Sequence, residues 1–168
     1  MNGTVLDILL YVFDRYMFDE APEVPEREAL ARDLESAGFA EANVERALDW
    51  LADLAGERSR APLLPAAPQD SDGAPRTRGS LRVYSPMELT RLSVDCRGLL
   101  LSLEEADILS PTQRELVIDR LLALDVEDLN LEQVRWIVLM VLSSQPGQEQ
   151  ACARMETLVF DPDTSAAH

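Results

Sequence analysis

The sequence contains no lysine: all fifteen of its basic side chains are arginines. A Schiff-base lysine and the phosphate-gripping lysine of a P-loop are therefore excluded. Histidine is almost as scarce. The single one, His168, is the last residue of a polar tail. No serine or cysteine in the body of the chain has an internal imidazole base, which removes Ser–His and Cys–His nucleophilic catalysis. Cys96 and Cys152 are widely separated, with no second cysteine near either. They read as small buried hydrophobes with free thiols, suited to a reducing cytoplasm. Two such thiols and one terminal imidazole also fall short of the clustered ligands a zinc site needs.

Long apolar runs are missing too. The longest, Trp136–Leu142, is far below the roughly 20 residues of a membrane span. The N-terminal segment has an acid at Asp7 and no base before Arg15, which is not the pattern of a signal peptide. Neither G-x-G-x-x-G nor G-x-x-x-x-G-K-[ST] occurs, so nucleotide binding by those loops is excluded. The expectation is a cytoplasmic, non-enzymatic protein with no cofactor, no metal and no membrane partner.

What is present is a globular composition with an acidic excess. Of 168 residues, 46% are hydrophobic and 27% charged, with 31 acids giving a net charge of −16. The length fits one domain or two very small ones. The charge is unevenly placed. Residues 1–57 hold four bases against fourteen acids, and residues 83–168 six against fifteen. Between them, residues 58–82 reverse the sign, with Arg58, Arg60, Arg76, Arg78 and Arg82 against only Asp70 and Asp72.

Apolar spacing near 3.6 residues, with helix start and stop signals, predicts an all-α fold. It has two small helical bundles, three helices and then about five, joined by a Pro/Arg-rich linker. In the N-terminal unit, residues 1–56, Thr4 with Asp7 reads as a capping box opening a helix over 4–18, whose two apolar stripes require cover on more than one side. A second helix starts with Pro25 at its first position and stops at Gly38. A third covers about 41–55 and ends at Gly56. Residues 57–82, with four prolines and two glycines, read as a flexible basic linker. The C-terminal bundle, 83–160, has starts at Ser85-Pro86-Met87-Glu88, Ser110-Pro111 and Asn130. Cys96, Leu99, Leu100, Leu103 and Ala106 share the inner face of its second helix. The helix over 131–144 is apolar on every side from Ile137 to Leu142 and should be the most buried element. The tail, 161–168, reads as disordered.

Carboxylates remain as possible chemistry. Glu104, Glu105 and Asp107 cluster near a helix end, and Asp125, Glu127 and Asp128 in a turn. Acid–base work or magnesium binding would need a pocket around them, whereas solvated acidic turns need nothing further. Asp70-Ser71-Asp72-Gly73 fails as an EF-hand loop because Pro75 stands where the sixth-position glycine belongs. The candidate partner surface is Arg76, Arg78 and Arg82 in the linker with Arg91 and Arg97 beyond it. An arginine on that helix either forks onto a carboxylate to tie two helices together or offers its guanidinium to a partner's acid.

Three stretches carry a family resemblance: VLDILLYVFDRYM, LESAGFAEANVERALDWLADL and residues 82–147. Within the last, the telling pieces are Arg97-Gly98-Leu99-Leu100, Arg114 through Ile118, Leu122-Ala123-Leu124-Asp125, and Trp136 through Leu142 followed by Pro146-Gly147. Together these resemble the bacterial Smg family over nearly all the chain except the linker. Arg135 departs from the lysine that resemblance implies, and the insert around Ala61–Gly79 is longer than it implies. The resemblance implies a cytoplasmic bacterial protein and supplies no active site. The leading expectation is a protein-interaction or regulatory module, with an acidic surface that steers it toward basic protein partners. The alternative is a helix-turn-helix-like, nucleic-acid-associated module using the arginine-rich linker, disfavoured by the net charge.

Overall fold

In the computed structural model, residues 3–16, 25–60, 83–124, 126–145 and 147–160 are described, the side chains of 57–60 excepted. Among them are eight α-helices and no strand: three before residue 61 and five after residue 82. Helix α1 spans Val5–Tyr16, α2 Arg27–Ser36, α3 Glu41–Arg60, α4 Pro86–Arg91, α5 Val94–Glu105, α6 Pro111–Leu122, α7 Leu131–Ser143 and α8 Glu149–Phe160.

The helix starts are chemical. Thr4 N–H donates to Asp7 Oδ2 at 2.7 Å while Asp7 N–H donates to Thr4 Oγ1 at 3.2 Å. This reciprocal pair satisfies two N–H groups that a helix cannot bond internally. The same closure recurs as Ser85 with Glu88, Ser110 with Gln113, and Asn130 with Gln133. Ser93 caps α5 by accepting from Cys96 N–H.

Two boundaries differ from the sequence reading. Glu26, in extended conformation, is the N-cap of α2, so Pro25 lies outside the helix and not at its first position. Helix α3 runs through Gly56 to Arg60. A glycine stops a helix by turning left-handed, and Gly56 is not among the positive-φ residues. Left in α-conformation it costs about 1 kcal/mol relative to alanine, too little to end a helix already packed over three turns.

Gly38 does turn left-handed, at φ +98°. Its N–H donates to Glu35 O, and that of Phe39 to Leu34 O at 3.2 Å, a Schellman closure of α2. A side chain there is strained despite open space, so Gly38→Ala is expected to cost about 1–2 kcal/mol, measurable as a lower urea midpoint.

Helix α7 is the hub. Ile137 through Leu142 are all buried, as is Val134, and the helix packs against α1, α5, α6 and α8. Buried residues from both sets of helices form one continuous core. Phe13 of α1 meets Trp136 of α7 edge-on at 6.0 Å, and Trp136 meets Phe160 at 5.6 Å. Across the same seam, Trp50 of α3 donates its indole N–H to Arg120 O at 2.9 Å. Covering both stripes of α1 therefore takes α3 on one side and α7 on the other.

Candidate interaction surface

The arginines point mostly inward or along the surface to partners within the chain. On α6, Arg114 is nearly buried and bridges Glu104 of α5 and Glu115. Arg120 lies 5.9 Å over the Trp50 ring and 3.6 Å from Asp53. Arg27 donates to Glu45 at 2.9 Å and Asp49 at 2.7 Å, joining α2 to α3. Those hydrogen bonds, Asp49 first, raise the Arg27 pKa above the ordinary guanidinium value. Arg15, beside Asp33 at 3.6 Å, is raised likewise.

Two members of the predicted arginine set are described, and both contacts differ from a carboxylate fork. Arg91 donates from Nη2 to the carbonyls of Leu124 and Val126, the latter at 3.0 Å. This clamps the end of α4, a helix with no buried residue of its own, to the connection after α6. Arg97 lies 5.6 Å from the Tyr84 ring centroid in a cation–π contact. Both partners, backbone carbonyls and an aromatic ring, are brought to these arginines by tertiary packing. Arg76, Arg78 and Arg82 lie outside the described residues, as do Asp70 through Pro75, Asp125, Pro146 and His168.

The acids are left in excess at the surface. Asp14, Glu41, Asp95, Glu105, Asp119 and Glu132 are all exposed. Glu104 is the exception to the solvated-turn reading, since Arg114 holds it. Asp107 closes α5 at φ 56°, with its N–H on Glu104 O and that of Ile108 on Leu103 O. Among the described residues no group of three or more His, Cys, Asp or Glu is placed to hold a metal ion.

Two cavities open on the core. One of about 370 Å³ is walled by Leu9, Leu30, Leu51 and Met140, with Tyr16, Arg27, Ser143 and Ser144 as its polar side chains. Each of these four is hydrogen-bonded inside the chain: Tyr16 to Asp33, Arg27 as above, Ser143 to Leu139 O and Ser144 to Val141 O. Burial, then the Asp33 hydrogen bond, raises the Tyr16 pKa. The other, of about 400 Å³, has Cys152 in its wall with Glu149 and Glu156. Burial raises the Cys152 thiol, the Ser143 contact opposes that, and the two glutamates add to it. The thiol thus stays protonated at neutral pH, unlike an activated nucleophile. Its reaction with a disulfide reagent at pH 8 is expected to be several-fold slower than that of the same thiol in denaturant.

Among the described residues, the outer face of α5 is apolar and exposed. On α5 the inner residues are Cys96, Leu100 and Leu103, with Leu99 half-buried, while Ala106 is the exposed C-cap and not an inner residue. The opposite face carries Val94, 74% exposed, Gly98, and Leu101, 49% exposed. Val83 and Met87, before and within α4, are 89% and 70% exposed. Sequence reasoning missed this face because it looked for the inward stripe. The signal was there: Val94 and Leu101 are seven residues apart, on the side opposite Cys96 and Leu103. A Cβ at Gly98 would meet nothing within 4 Å. Gly98→Ala is therefore expected to stabilise the protein by about 0.5–1 kcal/mol through helix propensity alone, read as a higher urea midpoint.

Comparison with known proteins places the chain. The family described as a protein of unknown function, DUF494, matches residues 5–168. The "Protein Smg homolog" of Xanthomonas campestris pv. campestris strain B100 is 43% identical over the full length of both chains. Those of Nitrosococcus oceani and Stenotrophomonas maltophilia strain K279a are 42% identical, also over the full length of both. No solved structure matches. No described helix is long and apolar enough to cross a membrane. End-to-end identity at this level leaves no part of the fold outside the match: the chain belongs to the bacterial Smg family.

Proposed function

We propose that this protein is a non-catalytic, cytoplasmic interaction or regulatory module that binds a basic protein partner. The observation that carries the reading is the disposition of charge. Arg27, Arg91, Arg97, Arg114 and Arg120 are engaged within the chain, while acids such as Asp14, Asp95, Glu105 and Glu132 face solvent. A surface of one sign raises the encounter rate with a partner of the other sign. The protonated thiol of Cys152 and the internally bonded polar groups of the apolar cavity beside Met140 support the non-catalytic part.

Affinity capture of the tagged protein from nuclease-treated bacterial lysate tests the reading. A stoichiometric protein partner is expected, with recovery falling as salt rises toward the range where the Debye length drops below about 10 Å. Recovery of nothing above background contradicts it. The arginines of residues 58–82 favour one second reading, a nucleic-acid-associated module. Its signature would be binding to DNA or RNA that disappears when Arg76, Arg78 and Arg82 are replaced together.

A further inference from the structure

From the outer face of α5 we infer a docking site for a basic amphipathic helix of a protein partner, with Val94, Gly98 and Leu101 as its floor. The inference rests on the proposed interaction role and gives it a place and a partner chemistry.

Spacing comes first. Positions 94, 98 and 101 stand at i, i+4 and i+7, one continuous line along a helix. Val94 and Leu101 present side chains to solvent while the other side of α5 packs into the core. The stacking of Arg97 on Tyr84 holds Tyr84 alongside α5. The inner residues Cys96, Leu100 and Leu103 anchor α5 in the core, which makes its outer face a held surface.

Gly98 is the second observation. A glycine in the middle of a helix weakens it, and here nothing within the fold requires one, because the space where a Cβ would stand is open. A missing side chain between two apolar ones leaves a notch in which another helix backbone can approach closely. Closely packed helices meet in this way, side chains of one entering the gap left by the other.

Charge selects the occupant. Asp95 and Glu105 flank the strip at its two ends, both exposed, and no ion pair joins either to a described residue. An approaching helix with leucines on one face and arginines or lysines at its edges would complete both. A second copy of this chain would bring the same acids, and a charge of −16, against them, so like-charge repulsion opposes self-pairing. A nucleic acid would meet carboxylates where it needs cations.

The test uses a fluorescein-labelled amphipathic peptide of leucine and lysine in heptads, and its counterpart with glutamate for lysine. Fluorescence anisotropy is measured with the full chain, and backbone amide shifts are mapped by NMR. The lysine peptide is expected to bind, the glutamate peptide not, with shifts confined to residues 83–84 and 94–105. Leu101→Glu separates docking from general attraction by sign. It adds a negative charge, so attraction alone would strengthen binding, whereas docking predicts at least a tenfold loss. Gly98→Gln fills the notch and is expected to weaken binding comparably; circular dichroism checks that both variants remain helical. Binding unchanged or strengthened by Leu101→Glu overturns the inference, as do shifts spread over the acidic surface or clustered in the cavity beside Met140. Dimerisation of the wild type in sedimentation, abolished by Leu101→Glu, overturns it in favour of a second copy. If capture from lysate succeeds equally with wild type and Leu101→Glu, this face is wrong and the interaction role stands; if neither recovers a partner, the role itself fails.

Discussion

Leu139→Ala is expected to lower the unfolding free energy by about 2–5 kcal/mol. Leu139 is fully buried on α7, and α7 is the helix against which α1, α5, α6 and α8 pack. Truncation removes the transfer free energy of the deleted methyl and methylene groups and leaves a void that four converging helices cannot all close. Since domains of this size are stable by roughly 5–15 kcal/mol in all, a loss in that range takes a large share. Urea unfolding followed by circular dichroism measures it. A cost below 1 kcal/mol would mean that α7 is not the centre of the fold.

The second large effect lies on the seam between the helices before residue 61 and those after residue 82. Trp50→Ala is expected to cost about 3–5 kcal/mol, because the indole is buried and packed under Arg120. Trp50→Phe divides that figure. It keeps most of the ring and deletes the N–H that Arg120 O accepts, so the expected cost falls to about 1–3 kcal/mol for an orphaned carbonyl. Both sets of helices are expected to unfold in one transition, since their buried side chains form one cluster. Retention of residues 86–160 as a folded unit in Trp50→Ala, seen by amide exchange, would show instead that the seam contributes little.

Much of this fold was legible because its signals are local. Ser85 with Glu88 and Asn130 with Gln133 start helices by chemistry that needs only four residues. The unbroken apolar character of Ile137–Leu142 could only mean burial on every side. Gly56 was misread because a glycine is a stop only when the chain after it turns away, which depends on residues it does not touch. The partners of Arg91 were illegible for a different reason. Two backbone carbonyls more than thirty residues away leave no mark in sequence, whereas a carboxylate partner would. The join of the two helix sets through Phe13 and Trp136 is likewise a contact between distant aromatics, each of which also fits a separate small core. The outer face of α5 stood in the pattern as apolar residues left over once the inner stripe was assigned.

The interaction role is tested most directly by affinity capture from nuclease-treated lysate, run side by side with wild type and Leu101→Glu. A basic protein recovered stoichiometrically with the wild type, and lost with the variant, is the predicted result. Recovery confined to nucleic-acid-dependent material, or of nothing above background, would contradict the account.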